Sequence, residues 1–231
     1  MKRLIALLMC CSLLCFPVRA AEKEKLVALT FDDGPSGKYT RRLLDGLKDR
    51  GVEATFFLCG YRIKQFPELT EQICREGHEI GLHGYSHKFM QSMSKTAVRQ
   101  EFQKTMDLLP ADCKVTLLRP PGGICGKNVL TVAEELNLGV VLWSVDPKGW
   151  EEHNTGRIVK AVVGSVRDGD VILLHDMYDS SIEAAFVIID TLRAKGFRFI
   201  TVSELAQARG VAVLPGKRYA RFCETDPQEK K

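Results

Sequence analysis

The chain has 231 residues, 45% of them hydrophobic and 27% charged, with a formal net charge of +4. Without Lys2, Arg3 and Arg19, which stand in an apolar N-terminal stretch, the charge is +1; a chain so near neutrality argues for no nucleic-acid partner. The length suits one sizeable core rather than two domains.

Residues 1–20 read as a secretory signal peptide: Lys2 and Arg3, an apolar run over 4–16, then Val18-Arg19-Ala20 as a small-residue cleavage site. The run is shorter than the ~20 residues a membrane-spanning helix needs. The expected location is therefore secreted or envelope-associated, in a bacterium. Five cysteines lie beyond it, Cys59, Cys74, Cys113, Cys125 and Cys223, an odd count with no Cys-x-x-Cys pair, which fits neither a disulfide scaffold nor a thiolate zinc site. Cys59 and Cys74 read as buried small hydrophobes; a single bridge, for which Cys113 with Cys125 is one candidate, is compatible with export.

The first mature element, Leu26 to Phe31, is a buried strand that ends in Asp32-Asp33-Gly34-Pro35. Two adjacent carboxylates repel unless a cation or proton intervenes. Helical spacing then marks 39–49, ended at Gly51; 54–58 is β-rich; 67–76 is helical and 79–82 strand-like. A helix over 95–109, a strand over 115–118, a helix over 128–136 and a strand over 139–143 follow. The second half continues with a helix at 155–166, strand at 171–174, helix at 180–195, strand at 197–202 and a last helix from a Ser203 cap. This alternation implies an α/β fold with a parallel sheet. About seven β/α units favour a distorted or incomplete (β/α) barrel, with a catalytic domain over 21–210 and a polar C-terminal tail over 211–231.

In such a barrel the active site lies at the carboxyl ends of the strands, and reactive residue types cluster there: Asp32-Asp33, His83 to His87, Arg119-Pro-Pro, Asp146 and His175-Asp176. In a strand, histidines four apart are ~13 Å from each other; in a helical turn, which Gly84 would ease, they are ~5–6 Å apart and can share an ion. With a carboxylate from another strand end they make a two-His, one-carboxylate site that suits hydrolytic zinc and also non-haem iron. His153, beside Glu151 and Glu152, reads as a solvated loop residue. Trp143 reads as core, and Trp150 as core or a sugar-stacking wall.

Thr-Phe-Asp-Asp-Gly-Pro, His-x-x-x-His, Arg-Pro-Pro-x-Gly, Trp-Ser-Val-Asp and Leu-Leu-His-Asp, in this order from Leu26 to Ala208, resemble the polysaccharide deacetylases, the family-4 carbohydrate esterases related to nodulation-factor deacetylase. The resemblance implies that Asp33, His83 and His87 hold a divalent metal, zinc first, and that Asp32 is the general base, paired with Arg119. It implies His175 as general acid, Leu173 in the acetyl-methyl pocket, and Gly122 with its N–H towards the oxyanion; Trp150, as a sugar-stacking wall, would add to the substrate-binding set. The implied reaction removes N-acetyl groups from an acetylated amino-sugar polymer, peptidoglycan before chitin, with no stable protein partner. An O-acetyl polysaccharide esterase or an inactive carbohydrate-binding relative are the alternatives. Three positions depart from the family pattern. Gly84 stands where a hydroxyl residue is common, Gly122 replaces an aromatic and opens the groove wall, and Gly149 replaces an aspartate that orients the acid histidine, leaving Asp146 as its possible substitute.

Overall fold

The computed structural model describes residues 24–148 and 153–223. Residues 1–20, read above as a signal peptide, and Gly149 and Trp150 lie outside the described residues. The strands are β1 (Lys25–Asp32), β2 (Thr55–Leu58), β3 (Glu79–Leu82), β4 (Leu117–Leu118), β5 (Gly139–Val141), β6 (Val171–His175), β7 (Phe197–Ile200) and β8 (Arg218–Tyr219). Every strand pairing is parallel, in the order β6-β1-β2-β3-β4-β5-β8, with β7 on the first half of β1. A single parallel bridge, Val145 to Ile172, joins the segment after β5 to β6. The fold is a distorted (β/α) barrel, with the seven strands of the repeating units and β8 added at the β5 edge.

The helices are α1 (Gly37–Asp49), α2 (Gly60–Gln65), α3 (Pro67–Arg75), α4 (Lys95–Met106), α5 (Lys127–Glu135), α6 (Thr155–Ser165), α7 (Asp179–Ala194) and α8 (Val202–Ala208). Among the described residues no helix is long and apolar enough to cross a membrane. β1 is buried on both faces, as a central parallel strand must be. Its Val27, Leu29 and Phe31 pack with Leu43, Leu44 and Leu47 of α1 and Ile188 of α7, while Leu26 and Ala28 join an inner cluster with Phe57, Leu117, Val141 and Val171. The alternation puts Thr30 and Asp32 on the inner side, above that apolar plug.

Four local readings change. Cys74 and Cys113 form the disulfide, with their Cα atoms 6.1 Å apart, so neither the Cys113–Cys125 pair nor a free Cys74 holds; Cys59 and Cys125 stay reduced. The link ties the end of α3 to the loop after α4, across 39 residues of sequence. The last helix is capped by Thr201, not Ser203, through a reciprocal capping box with Glu204. Finally, the start of the polar tail is built into the barrel: β8 pairs with β5 and Phe222 is fully buried in the inner cluster.

His78, just before β3, is buried, accepts a hydrogen bond from the Ala54 N–H at 3.2 Å and meets the Phe56 ring edge-on. Burial depresses its pKa from 6.5 to about 4. The unfolded chain therefore binds the proton first, and stability present above pH 6.5 is lost as pH falls towards 4, by about 3 kcal/mol in all. Denaturant titrations across that window should show this loss in the native chain, and His78→Gln, which keeps an acceptor for Ala54, should lack that share of it.

Candidate active site

The inner face of β1 explains the polar residue in its apolar run. Thr30 donates to the Ile172 carbonyl at 2.8 Å and accepts from the Arg119 guanidinium at 2.8 Å. Arg119 follows β4, is fully buried, and makes four hydrogen bonds with its guanidinium. It donates to Val141 O (2.9 Å), Leu142 O (2.8 Å), Thr30 and Asp32 Oδ1 (2.6 Å), and its Cζ lies 4.0 Å from the Phe57 ring centroid and 5.6 Å from that of Trp143. Such a buried charge is tolerable only when paired and hydrogen-bonded. Asp32 thereby has one oxygen occupied, while its Oδ2 lies 3.7 Å from His83 Nε2.

Asp33 takes a left-handed backbone, φ 76°, a conformation that Asp tolerates better than most residues. The turn swings its carboxylate towards the same imidazole, with Asp33 Oδ1 3.2 Å from His83 Nε2 and 2.9 Å from His87 Nε2. The two carboxylates thus converge on one site rather than facing apart across the strand. Beyond them, a Cβ at Gly34 would collide with the Asp176 carboxylate, which is why a glycine must follow. Asp176 is buried, accepts from the Thr40 hydroxyl of α1, and is raised by burial to about 7. Its place is to anchor the strand end.

The two histidines meet without the expected helical turn. His83 to His87 is a bend in which Gly84 (φ 81°) and His87 (φ 57°) are both left-handed, and it sets the rings 5.2 Å apart. Two supports that sequence reasoning missed hold the bend. Glu101 of α4 accepts from the Tyr85 and Ser86 N–H groups (2.9 and 2.8 Å) and from the Ser86 hydroxyl. The start of α2 donates from Gly60 and Tyr61 to the carbonyls of Gly84 and Tyr85. Glu101 lies between Val98 and Phe102, Thr105 on the buried side of its helix, and an acid there is the one signal its position carries.

One ligand atom from each of Asp33, His83 and His87 lies within 4.8 Å of the other two. Ligand atoms of a tetrahedral ion with bonds near 2 Å are about 3.3 Å apart, close to both Asp33–His distances. His83 Nδ1 lies 2.7 Å from the Arg119 carbonyl, which can only accept, so Nδ1 carries the proton and Nε2 presents a lone pair. Asp33 Oδ1 is buried yet makes no aligned hydrogen bond, which leaves it free to share an ion with the two Nε2 atoms 3.2 and 2.9 Å away. Burial alone would raise the Asp33 carboxyl, but the two imidazoles beside it, His83 and His87, hold it well below the usual carboxylate range. At His83 burial opposes the imidazolium, and Asp32 and Asp33 outweigh it to raise the pKa. The pocket is built to attract positive charge. The three residues fit a divalent ion and leave a coordination position open.

His175 ends β6 across from this group, with Nε2 4.0 Å from Asp33 Oδ2. Leu173, two residues earlier, shares its strand face and is buried. Asp146 spends Oδ1 on the Lys148 N–H at 2.8 Å, and among the described residues no carboxylate besides Asp33 lies within 4.0 Å of the His175 ring. The Asp146 substitution for an orienting aspartate therefore finds no support. Gly122 sits in a left-handed turn, Pro121–Gly123, at the same rim (φ 64°). The space above it is not open, because the Phe89 ring covers it. His153 packs edge-on against Tyr178, with ring centroids 4.3 Å apart.

A family model described as polysaccharide deacetylase matches residues 19–141. A peptidoglycan-N-acetylglucosamine deacetylase of Bacillus cereus is 38% identical over 188 residues, covering 79% of this chain and 88% of that protein. The peptidoglycan-N-acetylmuramic acid deacetylase PdaC of Bacillus subtilis is 36% identical over 189 residues, 80% of this chain; the match spans only 40% of PdaC. Among solved structures, a family 4 acetyl xylan esterase from Clostridium thermocellum in complex with a cobalt ion superposes with a TM-score of 0.80 at 32% identity, covering 85% of this chain and 98% of that one. A family model that spans more than half of the sequence, and relatives near 38% identity along four-fifths of it, leave one assignment: the chain belongs to the polysaccharide deacetylase family.

Proposed function

We propose that this protein is a secreted, metal-dependent hydrolase that removes N-acetyl groups from amino sugars of peptidoglycan. The observation that carries the reading is the meeting of Asp33, His83 and His87 beside an Asp32 whose second oxygen faces them. The similarity to peptidoglycan deacetylases of two Bacillus species supports the polymer. A divalent ion on the three ligands, zinc first, would acidify a bound water and polarise the acetyl carbonyl.

The chain's own residues supply the rest. Asp32 takes the proton of the attacking water at Oδ2, because Arg119 holds Oδ1 and fixes the carboxylate's orientation. His175 gives a proton to the departing amine from the opposite side of the pocket. Leu173 bounds the acetyl methyl, and the Gly122 N–H faces the oxyanion. The bend that carries His87 is fixed by Glu101, so Glu101→Ala should weaken metal binding by about 10- to 100-fold, read by competition with a chelating dye. An unchanged affinity would mean that α2 alone holds the bend.

The deciding experiment measures acetate from N-acetylglucosamine oligomers, peptidoglycan and acetylated xylan, with and without chelator. Acetate from the amino-sugar substrates, lost to chelator and restored by zinc, is the expected result. Release from xylan alone would select the O-acetyl esterase, the reading that the likeness to an acetyl xylan esterase supports. No release from any of the three, with metal bound, would leave a carbohydrate-binding relative.

A further inference from the structure

We propose that Phe89 is a sugar-binding residue of this site, a platform on the His87 loop on which a pyranose ring of the substrate stacks. The inference rests on the carbohydrate reading above and adds a residue to it. Phe89 is 58% exposed, the most exposed of the large hydrophobic side chains among the described residues. It is not loosely held. Its neighbour Met90 is buried in the cluster of Leu82, Val98, Phe102 and Leu118, the Met93 N–H bonds the Met90 carbonyl, and Asn128 bonds the Met93 carbonyl at 2.9 Å. The chain is pinned on the residue that follows and presents the aromatic outwards.

One edge of the ring is covered. A Cβ placed on Gly122 would lie 2.7 Å from Phe89 Cε1 and 3.3 Å from Cδ1, and 3.8 Å from Ile124 Cδ1. Phe89 thus crosses the bare turn at Gly122 and takes the space that a side chain there would fill. Phe89, Gly122 and Ile124 make an apolar rim. Two residues of chain span at most about 7 Å and three about 10 Å, so this rim stands within about two sugar lengths of His87 and of Arg119. An aromatic face kept out of the core beside a polar pocket matches the C–H face of a pyranose, with the polar groups below fixing its orientation.

The test compares native protein, Phe89→Ala and Phe89→Tyr on an N-acetylglucosamine tetramer, by acetate-release kinetics and by calorimetric binding. Phe89→Ala should raise both KM and Kd about tenfold with kcat changed less than twofold, and Phe89→Tyr, which keeps the ring, should restore both. The thermal midpoint should stay put, as the ring is exposed. Unchanged Kd in Phe89→Ala, a Tyr variant no better than Ala, a fall in kcat alone, or a native chain that binds no tetramer would each overturn the proposal. A native chain that binds the tetramer through Phe89 but releases no acetate would sink the deacetylase reading and keep this one. Acetate release indifferent to Phe89 would do the reverse.

Discussion

Asp32→Asn is expected to lower acetate release by about 10²- to 10⁴-fold, the range for loss of a positioned general base, while the protein keeps its metal. The substitution preserves shape and leaves an oxygen able to accept from Arg119. What it removes is the capacity to take a proton at the oxygen 3.7 Å from His83 Nε2. It also leaves the buried Arg119 without its counter-charge, which breaking a buried pair makes costly, about 3–5 kcal/mol. Arg119 keeps hydrogen bonds to Thr30, Val141 and Leu142, so a lower thermal midpoint with retained folding is expected. Metal content by elemental analysis separates the roles, because Asp33 rather than Asp32 joins the two histidines. A variant that keeps both metal and full activity would place the base elsewhere; one that loses its metal would make Asp32 a ligand.

The sequence made the barrel and most of the pocket legible because both follow from local patterns. The strand at Glu79–Leu82 falls where its apolar run lies, and the reactive residues sit past strand ends as a parallel barrel requires. What escaped is set by tertiary contact. The six-residue helix α2 is too short to show a period, yet its first N–H groups hold the His83–His87 bend. The strand β8 has two residues in a polar stretch, and only its pairing with β5 makes it a strand. Cys74 lies on an apolar helix face and looked like packing, while its partner Cys113 is 39 residues away, a distance at which sequence carries no signal. Asp33 shows the same limit within the site. Alternation along a strand predicts that Asp32 and Asp33 diverge, and one left-handed residue makes them converge.

His175→Ala tests the other side of the pocket. An amide expels an amine, which leaves only when protonated, whereas an ester expels an alkoxide that needs far less help. His175 is the group we propose to give that proton; its Nε2 is 4.0 Å from Asp33 Oδ2, and it shares a strand face with Leu173. Its strand end is fixed by the hydrogen bond from its own N–H to Ser181 and by Asp176 next to it, buried against Thr40. Removing the imidazole should therefore change chemistry more than structure. The expected loss is about 10²- to 10⁴-fold in kcat on N-acetylated oligomers, and at least about tenfold less on an acetate ester measured alongside. Equal losses on both would contradict proton donation to the leaving group and point to His175 as a structural partner of Asp33. A loss confined to the amide would assign the acid role to His175 even with no aspartate but Asp33 against its ring among the described residues, because a proton donor needs reach to the leaving atom before it needs a partner to orient it.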